Sequence, residues 1–386
     1  MTSYLKIFGA IALIVIATAC ESKKPGTSEK EPVKEAWANQ MQNLANTLAE
    51  LIPYVSSQRN FNDPHNAKLI DSKVESLLNL SHKINEKQMA PDHDPTLQMV
   101  SDEFVDDLQR VKSALAQGHR DYAQYVLKSS TAYCVECHTR NNVGPTFVGM
   151  KINSVVSSLP LLERADFYAA TRQFDRALDE FKEVIKTSEK FADWDRAARY
   201  SLAIAVRFMD DPNKALEITN LILDSANAPL YLKDDALAWK KSISEWHKEP
   251  QQKSPSSLAQ IEGLIEKAKK LQRYPTDHST DIYFLRASAK AHAALEKGLA
   301  GEEKSRALFI AGECYEYLRI PNFWSFQEKY YESCIQNSPH SPMAMRCFKK
   351  YESSLLSGYL GSSGFDLPMD VQSKLIELRG LAVPME

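Results

Sequence analysis

Glycine is scarce in this 386-residue chain, at 13 residues, and alternation of β-branched with polar residues, the mark of a half-buried strand, is almost absent. An excess of charge of one sign is also missing, because 47 basic and 50 acidic side chains leave a net charge of −3. Nucleic acid is therefore not an expected partner. Ala, Leu, Glu and Lys recur instead at helical spacing, and 44% of the residues are hydrophobic. This composition predicts an all-α protein of two or three domains with a sizeable core.

The chain lacks a hydrophobic run long enough to cross a bilayer. Its longest apolar stretch, "IFGAIALIVIATA", ends just before Cys20 and has the length of a signal-peptide core. The residues "IATAC" resemble the cleavage box of bacterial lipoproteins, which implies lipid on Cys20. A polar segment with Pro and Gly follows and cannot pack. We therefore expect a signal peptide at 1–19, a lipidated tether at 20–31, and an outer-membrane lipoprotein that faces the periplasm.

Four helical segments of similar length follow the tether, at 33–57, 67–87, 96–117 and 120–140. Each carries apolar residues at three-to-four spacing, and short polar or proline-containing breaks separate them. Gly118 stands where the third segment should end. The pattern predicts an antiparallel four-helix bundle in a domain at 32–148.

The fourth segment contains "YCVECHTR", with Cys134, Cys137 and His138 on one face of a helix. Two thiols at this spacing can add to the two vinyl groups of a haem, and the imidazole can then bind the iron. A zinc site, a thioredoxin-like redox pair and a plain disulfide are the alternatives. Zinc needs four ligands, the redox pair needs an α/β fold, and a disulfide does not need the histidine. The motif therefore predicts one covalently attached haem c, held in an oxidising compartment.

A four-helix bundle whose last helix ends in C-x-x-C-H resembles the cytochrome c′ family, over about residues 32–145. The resemblance implies that His138 is the proximal iron ligand and that a residue on the first helix covers the distal face. Met41 lies on the apolar stripe of that helix and is the expected distal ligand. Arg140 is the expected partner of a haem propionate, and Tyr133 is expected at the haem edge. The rival distal ligands are His65, His82, Met89 and Met99.

Helical hairpins recur after the bundle, from residue 149 to residue 386. "ERADFYAATRQFDRALDEFKEVI" alternates small and aromatic residues, and "LFIAGECYEYL" followed by "FQEKYYESCIQNSPHS" repeats the arrangement. These stretches resemble degenerate tetratricopeptide (TPR) repeats. The resemblance implies an α-solenoid that docks a protein partner, whereas the alternative is a purely structural array.

Three cysteines remain in the repeat region. Cys334 and Cys347 flank a proline-containing turn between two helices, which favours a disulfide across that turn. Cys314 is then the odd cysteine, expected to be buried in a helix, and the other pairings stay open.

These features favour a membrane-anchored mono-haem cytochrome of c type that transfers single electrons to a redox partner protein. The second hypothesis is a gas-binding or sensing module with a five-coordinate haem. A structural repeat lipoprotein with a Cys–Cys disulfide and no haem is the third. An enzyme such as a peroxidase is disfavoured, because no acid/base constellation stands beside the single haem motif.

Overall fold

The computed structural model describes residues 30–86, 94–140, 156–250, 256–275, 277–320, 323, 325–361, 364–365 and 367–384. The expected signal peptide, lipidated Cys20, most of the tether and Met89 lie outside these residues. Within them the regular structure is helical, except for one pair of two-residue strands, Leu360–Gly361 and Gly364–Phe365. The predicted all-α class is confirmed.

The N-terminal helices pack against one another in chain order. The first helix contacts the third, the third contacts the fourth, and the fourth contacts the fifth and sixth. Buried leucines and valines at helical spacing fill the space between them. The helices are α1 (Lys30–Val55), α2 (Gln58–Asn62), α3 (Pro64–Glu86), α4 (Leu97–Ala116), α5 (Arg120–Ser129) and α6 (Thr131–His138).

The segment predicted as a single fourth helix is two helices that meet at Ser130. The hydroxyl groups of Ser129 and Ser130 donate to backbone carbonyls of the preceding turn, at 2.9 Å to Tyr125 and 2.7 Å to Leu127. Side-chain bonds of this kind compete with the helical ladder and bend or end it. The haem motif therefore lies on a short helix of its own. Gly118 does end α4, in the left-handed conformation expected after a helix (φ 79°).

Most of the remaining helices pack against the helix that precedes or follows them in the chain. They are α7 (Leu161–Ala170), α8 (Phe174–Thr187), α9 (Phe191–Leu202) with a π-helical turn (Ala203–Phe208), α10 (Pro212–Asp224), α11 (Leu230–His247), α12 (Leu258–Leu271), α13 (Asp281–Glu296), α14 (Gly301–Leu318), α15 (Phe326–Asn337), α16 (Pro342–Tyr359) and α17 (Met369–Ala382). Side-chain caps stabilise the first turn of several of these helices. At the start of α12, the Ser257 hydroxyl accepts from the backbone N–H of Gln260, and the Gln260 side chain accepts from the backbone N–H of Ser257.

Small residues let these helices approach closely and aromatic residues fill the spaces between them. Ala165, Ala177 and Phe181 are fully buried between α7 and α8. On α14, a Cβ atom at Gly312 would lie 2.6 Å from the Tyr331 ring, so only glycine fits there. The alternation of small and aromatic residues seen in the sequence therefore reflects helix contact.

One continuous hydrophobic core runs from Leu48 on α1 to Ala382 on α17. The N-terminal helices and the hairpins are joined within this core, since α6 packs directly against α7. None of the helices in the described ranges is long and apolar enough to cross a membrane.

The predicted disulfide between Cys334 and Cys347 is confirmed. It joins α15 to α16, with a Cα–Cα distance of 6.2 Å across 13 positions of sequence. Cys314 is a buried free thiol within α14, as expected. The pairing left open by the sequence is thereby settled.

Removal of this disulfide should destabilise the protein. Closing a loop of this length lowers the entropy of the unfolded chain, which raises the free energy of unfolding by about 3 kcal/mol. Reducing agent should therefore lower the urea midpoint of the native chain and leave a Cys334→Ala/Cys347→Ala variant unaffected. A Cys314→Ala variant should keep its response to the reducing agent, and loss of that response would contradict the pairing.

Candidate haem site

A pocket of about 980 Å³, part of it open to solvent, lies between the N-terminal helices and α7. Apolar side chains dominate the walls. The pocket is lined by Trp37, Met41, Leu44, Ala45, Leu48, Leu77, Ile84, Leu97, Val100, Ser101, Phe104, Ser130, Tyr133, Cys134, Cys137, His138, Ala170 and Thr171.

The two motif cysteines and the motif histidine face this pocket together. Cys134 and Cys137 lie one turn apart on α6, and His138 follows on the same side. Both cysteine residues are partly exposed. Burial among apolar side chains nevertheless raises the pKa of each to about 12, so both stay protonated at neutral pH.

His138 is held as a neutral imidazole. Burial, assisted by the positive charge of Arg172, lowers its pKa to about 3, while a hydrogen bond to the backbone of Ala170 acts in the opposite direction. The neutral imidazole is the form that binds a metal ion.

Met41 reaches the same pocket from α1. Trp37, Leu44 and Leu48 flank it at helical spacing and line the same wall. Of the rival ligands, His65 is largely exposed beside Asp63, and neither His82 nor Met99 lines the pocket. Among the candidate distal ligands in the described part of the chain, Met41 is therefore the one that the fold brings to the motif.

Tyr133 also borders the pocket, beside Cys134. Its ring contacts Phe104 and Phe323, with centroids 5.6 Å and 5.0 Å away, and its hydroxyl donates to Asp107. Its polar end is thus occupied and its ring is fixed as part of the apolar wall.

Arg140 was expected beside a haem propionate, but it is not among the residues that line the pocket. Its side chain is completely buried, two residues beyond the end of α6. The guanidinium donates to Glu136 at 3.0 Å, to the Thr96 hydroxyl at 2.9 Å and to the Tyr315 hydroxyl at 2.6 Å. These partners keep Arg140 between α6 and the hairpins, because a buried guanidinium needs acceptors for its N–H groups.

Glu136, between the two cysteines, is the residue that ties the motif to the hairpins. Arg207 donates two hydrogen bonds to its carboxylate, at 2.7 Å and 2.9 Å, and Tyr315 donates a third. Burial alone would raise the pKa of Glu136. The charges of Arg207 and Arg140 outweigh it and hold that pKa well below its usual range. Glu136 is therefore ionised inside the protein.

The network continues to Asp94 and His292, which are both buried. His292 contacts the Asp94 carboxylate at 2.5 Å and the Thr96 hydroxyl at 3.3 Å. Two carboxylates, those of Glu136 and Asp94, thus balance two guanidinium groups. The sequence pattern did not single out Glu136, Arg207, Tyr315 or His292. The π-helical turn that carries Arg207 is a conformation often found near functional sites.

The residues that line the pocket fit a covalently bound haem. They offer two thiols for thioether formation, a neutral imidazole for the iron and a thioether sulfur on the facing helix, within walls that are otherwise mostly apolar. Neither Cys134, Cys137 and His138 nor any other three His, Cys, Asp or Glu side chains of the described ranges are arranged to hold a bare metal ion.

Comparisons with protein families, with curated proteins and with solved structures give no match for this chain.

Loss of the Glu136 charge should destabilise the fold strongly. In a Glu136→Gln variant the guanidinium groups of Arg207 and Arg140 stay buried with less negative charge to balance them, which should cost about 3 kcal/mol of unfolding free energy in urea. Glu75→Gln is the matched control, because Glu75 pairs with Lys112 at the surface. That control should cost less than about 1 kcal/mol. Equal losses in both variants would show that Glu136 is not a structural anchor.

Proposed function

We propose that the chain is an exported, lipid-anchored cytochrome of c type with one covalent haem, which transfers single electrons. The observation that carries the proposal is the convergence of Cys134, Cys137, His138 and Met41 on one largely apolar pocket. In this proposal residues 32–148 form a haem domain similar to the four-helix cytochrome c′ family, with its fourth segment divided into α5 and α6. Residues 149–386 form a TPR-like solenoid, whose Ala170 and Thr171 complete the pocket. We assign no enzymatic reaction to the protein.

Each residue has a defined role in this proposal. Cys134 and Cys137 would each hold the haem through a thioether bond, in which the sulfur adds to one carbon of a vinyl group and the thiol proton to the other carbon. His138 would hold the iron through a ring nitrogen, and Met41 would hold it through its sulfur. The bound haem supplies an iron that alternates between the ferric and ferrous states. The apolar walls would limit its contact with water.

Two further features support export and anchoring. The Cys334–Cys347 disulfide belongs to proteins of oxidising compartments, where c-type haem is also attached. The N-terminal sequence carries the lipoprotein-like box before Cys20. We propose an outer-membrane lipoprotein facing the periplasm, whose helical array docks a protein partner that exchanges electrons with the haem.

A gas-binding module is the second candidate. It is favoured by the apolar character of the pocket around Met41, where Leu44, Leu48, Val100 and Phe104 are the neighbours. A small uncharged gas molecule would pack against these apolar side chains if Met41 lined the pocket without binding the iron. In that case the iron would have five ligands and would take up carbon monoxide.

Absorption spectra of protein expressed with periplasmic haem attachment test the central proposal. Haem that resists acid-acetone extraction, with a sharp reduced α band and no response to carbon monoxide, is expected for the six-coordinate electron carrier. Cys134→Ala/Cys137→Ala should abolish covalent attachment, whereas the control Cys314→Ala should keep it. A native chain without covalent haem, in a host that attaches haem to another cytochrome, would overturn the proposal.

Replacement of Met41 tests the distal ligand. Met41→Ala should convert the spectrum to a high-spin form that shifts with carbon monoxide, because the iron loses its sixth ligand. Met99→Ala is the matched control, since Met99 is partly buried on α4 and does not line the pocket. An unchanged spectrum and reduction potential in the Met41→Ala variant would show that Met41 is only part of the wall.

A further inference from the structure

A buried arginine follows the part of the pocket wall that the first hairpin supplies. Arg172 lies in the turn between α7 and α8, directly after Ala170 and Thr171, which line the pocket. Arg172 is 6% exposed and does not itself line the pocket. Because an arginine side chain stays protonated in proteins, the turn carries a positive charge inside the protein, next in the chain to the pocket wall.

The guanidinium group of Arg172 is held against an aromatic ring. It lies 5.5 Å from the centroid of the Phe208 ring, in the π-helical turn after α9, and Phe208 packs on Phe174 with ring centroids 4.4 Å apart. A cation is attracted to an aromatic ring at such a distance. The backbone of Arg172 is left-handed (φ 56°), a conformation that residues other than glycine rarely adopt. A role for the charged side chain would explain why arginine occupies this position.

The charge of Arg172 acts on the ring of His138. Burial is the larger cause that lowers the pKa of His138, and the charge of Arg172 is the second. The neighbouring charges of Glu136 and Arg207 are paired with each other, at 2.7 Å and 2.9 Å. Among the described residues, Arg172 is therefore the charged group whose effect on the proximal histidine is resolved.

A fixed positive charge near a metal ion changes the equilibrium between its oxidation states. Ferric iron carries one more positive charge than ferrous iron, so a nearby cation raises the energy of the ferric form more than that of the ferrous form. In partly buried surroundings, a unit charge about 10 Å away shifts such an equilibrium roughly tenfold. The expected direction is therefore toward the reduced haem.

We propose that Arg172 raises the reduction potential of a haem iron held by His138, through its fixed positive charge. This inference rests on the proposed haem. Arg172 acts across space and not as a ligand, because it does not line the pocket. It lies beyond residue 148, so the helical array would set the potential of the haem as well as complete the wall of its pocket.

Potentiometric titration of the haem-loaded full chain tests this proposal. In an Arg172→Met variant the ferrous-to-ferric ratio at a fixed potential should fall about tenfold, which is a fall of about 59 mV in the midpoint potential of a one-electron couple. An Arg172→Lys variant keeps the charge and should keep most of the potential. Both variants should retain covalent haem, because neither change touches a thioether cysteine or an iron ligand.

Arg286→Met is the matched control for loss of a buried guanidinium. Arg286 is 3% exposed and lies 4.8 Å from the centroid of the Trp246 ring, but it does not line the pocket and is not a cause of the lowered His138 pKa. The control should leave the midpoint potential unchanged. Urea unfolding of both methionine variants would show whether loss of stability alone moves the potential.

A second variant changes the charge without removing the Arg172 side chain. Gln173 donates to the Thr171 hydroxyl at 3.0 Å, and its Oε1 accepts from Arg176 at 2.8 Å. Gln173→Glu keeps the size of this side chain, retains Arg176 as a partner and adds a negative charge beside Arg172. It should also lower the midpoint potential, and it serves as the test if the Arg172→Met variant does not fold.

The proposal is overturned if covalent haem is retained and neither Arg172→Met nor Gln173→Glu lowers the midpoint potential. A fall of the same size in Arg286→Met, or in Arg172→Lys, would also overturn it, because the effect would then not depend on the charge at position 172. A native chain without covalent haem would contradict the proposed function itself. Covalent haem with an unchanged potential in these variants would contradict only the role of Arg172.

Discussion

The position of the motif helix α6 depends on the hydrogen bonds and ion pairs of the buried Glu136 carboxylate. Glu136 lies between Cys134 and Cys137 and receives hydrogen bonds from Arg207, Tyr315 and Arg140. These donors come from the π-helical turn after α9, from α14 and from the residues just after α6. A buried charge is stable only when charged or hydrogen-bonding partners compensate for its loss of hydration. Because Glu136 must stay within hydrogen-bonding distance of these donors, the position of α6 is fixed. With Glu136 held in this way, Cys134, Cys137 and His138 on the other face of α6 point toward the pocket.

This arrangement makes the pocket a property of the whole fold. Ala170 and Thr171 of the first hairpin line it together with side chains from α1, α3, α4 and α6. The backbone of Ala170 also opposes part of the lowering of the His138 pKa. A haem domain that ended near residue 148 would lack this wall. The sequence predicted a domain boundary at residue 148, but the helices before and after this residue share one hydrophobic core.

Features fixed by local sequence were predictable, and features made by distant residues were not. Helical periodicity gave the all-α class, the left-handed Gly118 ended α4, and the turn between Cys334 and Cys347 gave the disulfide. The stripe on α1 was enough to select Met41 as a pocket residue. The break at Ser130 depends on two serine hydroxyls that favour backbone carbonyls over the helical ladder. The position of Arg140 depends on Thr96 and Tyr315, which are far away in sequence. The sequence did contain one sign of the buried ion pair. Glu136 lies inside the C-x-x-C-H motif, and Arg140 follows it four positions later.

The order of the chain has a consequence for when the two cysteines can react. A polypeptide leaves the ribosome and crosses a membrane from its N-terminus, and its early parts collapse before its late parts arrive. Cys134 and Cys137 therefore emerge well before Ala170 and Thr171, which wall their pocket, and before Arg207 and Tyr315, which clamp their helix. During this interval the thiols are free of the side chains that later surround them and keep them protonated. An enzyme that attached haem, as proposed, would find them accessible only until the hairpins are complete, so attachment would come before final folding.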